Sequence, residues 1–259
     1  MATSLSLTQP PQFLKVLAHD LRWRMIVALA RSDMRVQELV TLLKHPPNLV
    51  SYHLKRLRAL KLVTERRSAA DGRDVYYSLA LDKIRTMYLA SGQALHPALG
   101  ESETETHAHE PAHTSKHVRV LFLCTHNSAR SQMAEAILRH LGGGRVNVFS
   151  AGSEPSEVHP LAMRVMAEIG IDIRQQWSKH LDEFRGQTFD YVVTVCDQVR
   201  ESCPVFPDHP EQIHWSFPDP AAVEGKEKQY RAFKDTATQL TTRIRFLLLS
   251  INRSQENAR

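Results

Sequence analysis

In the first part of the chain, apolar residues fall at helical spacing over residues 13–17 and 24–29. Residues 36–43 read as a short helix that Pro46-Pro47 interrupts, and proline suits the first turn of the next helix, about 48–60. On that helix Val50, Leu54 and Leu57 share a face, while Asn48, Ser51, Tyr52, His53, Lys55 and Arg56 fall on the others. Residues 62–67 and 75–79 read as strands joined by the turn Ala70-Asp71-Gly72-Arg73, and a helix follows over about 82–95. Residues 100–116 are acidic and polar with no apolar period, as a flexible linker would be. Beyond them strands are predicted over 118–123, 146–150 and 191–195. Helices are predicted from near Ser131 to Gly142-Gly143-Gly144, over 160–169, and over 229–248. This alternation calls for a parallel sheet with its site at the carboxyl end of the first strand.

The expected architecture is therefore two domains. A mainly-α winged helix-turn-helix over 1–98 is followed by a linker over 99–116 and an α/β domain over 117–259. The length of 259 residues already sits at the upper edge for one core. Charge divides the same way: residues 1–95 carry a net charge of +8, residues 96–116 carry −3, and residues 117–259 carry none. The basic character belongs to the first domain, as in a nucleic-acid binder. The 48–60 helix would enter a major groove, and Arg66, Arg67 and Arg73 on the wing are placed for phosphate or minor-groove contact. No signal peptide, internal repeat or membrane span is read, so a cytoplasmic chain with no membrane association is expected.

The chemistry concentrates in Cys124-Thr125-His126-Asn127-Ser128-Ala129-Arg130-Ser131, set between a strand and a helix. The loop N–H groups and the helix N-terminus form an oxyanion cradle, and Arg130 can fork to two oxyanion oxygens. The same positive field favours the nucleophilic thiolate of Cys124. Phosphate and arsenate are the oxyanions that suit such a loop.

Cys196 ends a second predicted strand, and Cys203 follows seven residues later. A phosphatase needs one cysteine. A two-electron reductase needs a second thiol to expel the reduced product, and a third can carry the disulfide outward by exchange. Asp219, between Pro218 and Pro220, is a candidate acid for the departing oxygen.

With these residues in view, the chain from 117 to about 250 resembles the thioredoxin-coupled arsenate reductases, which share the low-molecular-weight tyrosine phosphatase fold. The loop 124–131, the Cys196/Cys203 pair and the stretch 215–220 carry the resemblance. It implies that Cys124 attacks arsenate while Asp219 protonates the leaving hydroxide and Arg130 and Ser131 support oxyanion and thiolate. Cys196 then attacks Cys124, releasing arsenite, and Cys203 attacks Cys196 to give a disulfide offered to thioredoxin. No bound cofactor and no metal is implied. Some relatives bind potassium near the loop, and Asn127, Glu135 and Ser150 match that pattern, but Lys179 stands where an acidic ligand is expected. The lysine ammonium would replace the cation.

Residues 10–95 resemble the ArsR-type winged-helix repressors through 17–22, 50–57 and the wing 72–77. The resemblance implies a homodimer on an inverted-repeat operator in double-stranded DNA. All three cysteines lie in the second domain, which speaks against arsenite sensing by thiolates of the first. His107, His109, His113 and His117 fit no compact metal site by spacing.

The preferred function is an arsenic-type transcriptional repressor fused to an arsenate reductase. Two alternatives remain open at this stage: a tyrosine phosphatase fused to a DNA-binding module, and a non-catalytic sensor of arsenic or redox state. The tandem tyrosines expected of such a phosphatase near Asp219 are missing, which favours reduction.

Overall fold

The structure, a computed structural model, describes residues 9–95, 99, 117–202 and 206–257. The chain parts into two compact units, Met1–Glu65 with Tyr76–Glu110, and Arg66–Val75 with Pro111–Arg259. The expected linker falls outside the described residues apart from Leu99, and so do His107, His109, His113 and Cys203. The tip of the expected wing, Arg66–Val75, groups with the second unit, because its first residues find hydrogen-bond partners there.

The first unit holds α1 (Gln12–Leu17), α2 (Asp20–Arg31), β1 (Met34–Arg35), α3 (Val36–Leu43) and α4 (Pro47–Ala59). β2 (Val63–Arg67), β3 (Val75–Leu79) and α5 (Leu81–Leu95) follow along the chain, with Arg66 and Arg67 at the end of β2 and Val75 at the start of β3 grouped in the second unit. The strands run in the order β1-β3-β2, with Met34 opposite Tyr77 in an antiparallel pair. His19 caps α2, its Nδ1 accepting from the Leu21 N–H at 3.2 Å. Lys44 ends α3 in the left-handed region at φ 55°, and Pro47 opens α4 at a position where its missing N–H costs nothing. The core is built from Phe13, Leu21, Met25, Leu29, Leu39, Val50, Leu54 and Leu57, all buried. This is a helix-turn-helix with α4 as its second helix.

His53 corrects one expectation. Predicted on the outer side of α4, it is 4% exposed and packed beside Leu54 and Leu57. The inner stripe of a globular helix is wider than two residues per turn, and position 53 falls inside it. The His53 ring lies 4.5 Å from that of His19, and its Nδ1 is 3.5 Å from Arg22 Nη1. Burial, then the charges of His19 and Arg22, hold its pKa below the usual histidine value.

The second unit contains β4 (Val118–Cys124), α6 (Arg130–Gly142), β5 (Val146–Gly152), α7 (Pro160–Glu168) and β6 (Tyr191–Thr194). α8 (Asp197–Ser202), β7 (Glu211–His214) and α9 (Lys226–Asn257) complete it. The four strands are parallel in the order β5-β4-β6-β7. Val120, Leu121, Phe122 and Leu123 are all buried, the run expected of a central parallel strand covered on both faces. α9 packs along α6 and α7. The chain leaves β4 for β5 on one side and reaches β6 on the other, so the switch point lies at the carboxyl end of β4, where Cys124 sits. α8 and β7 were not anticipated; each is short, and only Ile213 and His214 of β7 are buried. Among the described residues no helix is long and apolar enough to cross a membrane.

Candidate active site

The turn from β4 into α6 is held from outside. The carbonyl oxygens of Thr125, His126 and Ser128 accept from the N–H groups of Glu154, Ser156 and His159 at 2.9, 3.0 and 2.8 Å. The Asn127 carbonyl accepts from Ser178 Oγ at 2.6 Å. In a trans peptide the N–H points opposite to the carbonyl, so the N–H groups of residues 126–129 turn toward the inside of the loop. One of them is already engaged: Asn127 N donates to Cys124 Sγ at 3.1 Å, and Ser131 Oγ lies 2.8 Å from the same sulfur. Asn127 takes a left-handed conformation at φ 46°. Its side chain fixes that turn, donating to Ser131 Oγ at 2.9 Å and Ser150 Oγ at 2.8 Å, and accepting from Gln132 at 3.1 Å and from the Lys179 N–H at 2.8 Å.

Arg130 begins α6 and is 6% exposed. Its Nη1 donates to the Phe217 carbonyl at 3.1 Å, and its Nη2 lies 3.3 Å from Asp219 Oδ2. Asp219 is a third exposed, and its Oδ1 accepts from the Ala221 N–H at 3.1 Å. The guanidinium at the helix N-terminus and a partly exposed carboxyl group are thus brought together on the loop.

Cys196 follows β6, whose Thr194 pairs with Leu123 of β4. Its Sγ is 3.4 Å from Thr125 Oγ1, which is also 2.9 Å from Gln198 Oε1. Both Cys124 and Cys196 are buried free thiols. Burial pushes the Cys196 thiol up, the nearby Cys124 charge adds to this, and Arg130 and the Thr125 hydroxyl pull the other way.

Beneath the loop, Glu135 is buried and ion-paired with Arg139, accepts from Ser150 Oγ, and has Lys179 Nζ at 3.5 Å from its Oε2. An ammonium therefore sits beside the carboxylate that the potassium pattern would have used. No cluster of metal-ligating side chains occurs among the described residues.

A model of the low molecular weight phosphotyrosine protein phosphatase family matches residues 119–257. The chain belongs to this family. Within it, the arsenate reductase of Halalkalibacterium halodurans is 42% identical over 127 residues, 49% of this chain and 91% of that protein. The arsenate reductase of Bacillus subtilis is 42% identical over 114 residues, 44% of this chain and 82% of that one. A solved thioredoxin-dependent arsenate reductase of Corynebacterium glutamicum aligns with a TM-score of 0.45 at 24% identity, covering 89% of this chain and 98% of its own. A MarR family model matches residues 19–74, over the helix-turn-helix of the first unit.

The residues expected on that helix-turn-helix divide. Asn48, Ser51, Tyr52, Lys55 and Arg56 are exposed on α4, with Arg56 Nε 3.3 Å from Tyr52 Oη. Arg67 and Arg73 are exposed, and Arg73 pairs with Asp71. Arg66 departs from the expectation: its guanidinium is held by Asp197 and Ser216 of the family's own unit, because a buried carboxylate there demands a cation. Sequence reasoning missed the outer ring formed by Glu154, Ser156, His159 and Ser178. It also missed Gly152, although a glycine ending a strand is a readable sign of close backbone approach.

Proposed function

We propose that the second unit is an arsenate reductase working through Cys124, Cys196 and Cys203, fused to a DNA-binding repressor domain. The observation that carries the reading is the second thiol: Cys196 lies at the oxyanion loop itself, hydrogen-bonded to its Thr125. A phosphatase of this family has no use for a thiol there.

Cys124 thiolate attacks arsenate, and Asp219 protonates the departing hydroxide, giving water and a cysteine–arsenic bond. The loop N–H groups and Arg130 hold the arsenate oxygens, with Thr125, His126, Asn127, Ser128, Ala129 and Ser131 completing the cradle. Cys196 thiolate then attacks Cys124 Sγ. The sulfur–arsenic bond breaks, its electron pair passes to arsenic, and arsenite leaves. Cys203 attacks Cys196 in turn, releasing Cys124 thiolate. The sum is two thiols and arsenate giving one disulfide, arsenite and water. Thioredoxin dithiol reduces the disulfide, and no bound cofactor takes part.

The first unit is read as an ArsR-type homodimer on an inverted-repeat operator. Asn48, Ser51, Tyr52, Lys55 and Arg56 face the major groove, and Arg67 and Arg73 face the backbone. The whole acts in the cytoplasm, where thioredoxin keeps thiols reduced.

The test is arsenate-dependent NADPH oxidation with thioredoxin and thioredoxin reductase, comparing wild type with Cys124→Ser, Cys196→Ser and Cys203→Ser. Turnover lost in all three variants supports the relay. Aryl phosphate hydrolysis that needs Cys124 alone, with no arsenate turnover, makes the chain a phosphatase.

A further inference from the structure

Asp197 is held on both its carboxylate oxygens, and the mechanism above gives it no part. It follows Cys196 directly and opens α8, with its side chain wholly buried. Oδ1 accepts from Ser216 Oγ at 2.8 Å and lies 3.2 Å from His214 Nε2. His214 Nδ1 is 2.9 Å from Thr194 Oγ1, so the chain of contacts runs back to β6. Oδ2 is met from the segment 66–75 of the same unit: the Ala69 N–H donates at 2.8 Å, and the Arg66 guanidinium pairs with it. Arg66 also donates to Ser216 Oγ and, through Nε, to the Ser216 carbonyl at 3.3 Å. Burial pushes the Asp197 carboxyl up, but the His214, Ala69, Arg66 and Ser216 partners outweigh it and hold the group well below the ordinary carboxylate range. It stays charged, and a buried charge fixed on both oxygens fixes the backbone that bears it.

That backbone matters to the relay. Asp197 follows Cys196 directly, so the same anchor keeps Cys196 against Thr125, at the loop that carries Cys124.

We propose that Arg66 is a positioning residue of the relay: through Asp197 it pins the first turn of α8 and holds Cys196 beside Cys124 for the step that releases arsenite. The inference rests on the reductase reading above. It concerns only the second step, in which Cys196 thiolate displaces arsenic from Cys124 Sγ and arsenite departs with the electron pair. Oxyanion binding at the loop is left to Cys124 and Arg130.

The experiment uses the full chain with Cys203→Ser, which stops the relay after the second step. Arsenate is added to reduced protein, and the Cys124–Cys196 disulfide is followed by quench, alkylation and mass mapping. In parallel, protection of Cys124 from alkylation by inorganic phosphate reports on the loop alone. Arg66→Gln is expected to slow the disulfide about tenfold or more while the phosphate concentration for half-protection changes less than about twofold; Arg66→Lys is expected to restore much of the rate, since an ammonium still neutralises Asp197. Equal losses in disulfide rate and phosphate protection would reduce Arg66 to a general structural role and overturn the proposal. An unchanged disulfide rate would overturn it as well. If protein with Arg66 intact forms no disulfide with arsenate, the reductase reading itself fails, and the proposal with it.

Discussion

Gly152 lies directly opposite Cys124 in the β4–β5 register, and it has no room for a side chain. A methyl carbon there would sit 2.5 Å from the Thr125 carbonyl oxygen and 2.8 Å from the Asn127 nitrogen. Both are backbone atoms of the oxyanion loop, so the loop must yield. Gly152→Ala is expected to displace the inward N–H groups and lower arsenate turnover about 100-fold, the scale of an ångström-sized misplacement. Steady-state kinetics with phosphate protection of Cys124 checks this, and turnover within about twofold of wild type would contradict it.

Lys179 accounts for a second expectation. Its ammonium lies 3.5 Å from Glu135 Oε2, in the neighbourhood where the resemblance implied a potassium ion. Turnover at equal ionic strength should therefore be the same in potassium and sodium salts. Several-fold activation by potassium would contradict this. Lys179→Met should cost about 1–3 kcal/mol of stability by leaving part of the Glu135 charge uncompensated, measurable by denaturant unfolding.

The pH dependence of the second step follows from Cys196. Burial pushes its thiol above the ordinary value, and this remains when Cys124 is bonded to arsenic and its charge no longer contributes, so at neutral pH the thiol is mostly protonated. Only the thiolate attacks. In Cys203→Ser the Cys124–Cys196 disulfide should form about tenfold faster for each pH unit from 7 to beyond the usual thiol value of about 8.5. A flat profile over that range would mean that another event limits the step.

On α4, exposure separates two kinds of residue. Lys55→Ala and Arg56→Ala should weaken binding to double-stranded operator DNA, while Arg67→Ala, which removes a backbone contact, should flatten the salt dependence by about one unit of log–log slope. His53→Ala, at a position 4% exposed, should instead lower the melting temperature of the first unit. Fluorescence anisotropy across a salt series, beside thermal unfolding, distinguishes them; the reverse assignment would put His53 at the DNA.

What could be read in advance followed from covalent spacing and apolar period. Cys124 to Ser131 lie on one short loop, so their neighbourhood was legible, and so were β4, α6 and the long α9, whose buried residues recur regularly. α8 and β7 escaped because six and four residues carry too little period to register. His53 was misplaced because a three-residue stripe does not reveal how wide the buried face is. Arg66 was misplaced for a different reason: its partner Asp197 lies 131 residues away, and no local pattern pairs them. Gly152 belongs with Arg66, since the clash that forbids a side chain there arises only when β5 lies beside β4.

The order in which disulfides form tests the three-cysteine relay most directly. Reduced protein is given one equivalent of arsenate without thioredoxin, quenched with acid, alkylated and mapped by mass. Wild type should end with Cys196 joined to Cys203 and Cys124 free, Cys203→Ser with Cys124 joined to Cys196, and Cys124→Ser with no disulfide, each disulfide matched by one arsenite. Arsenite released without these bridges, or three thiols left reduced after arsenate, would contradict the three-cysteine relay.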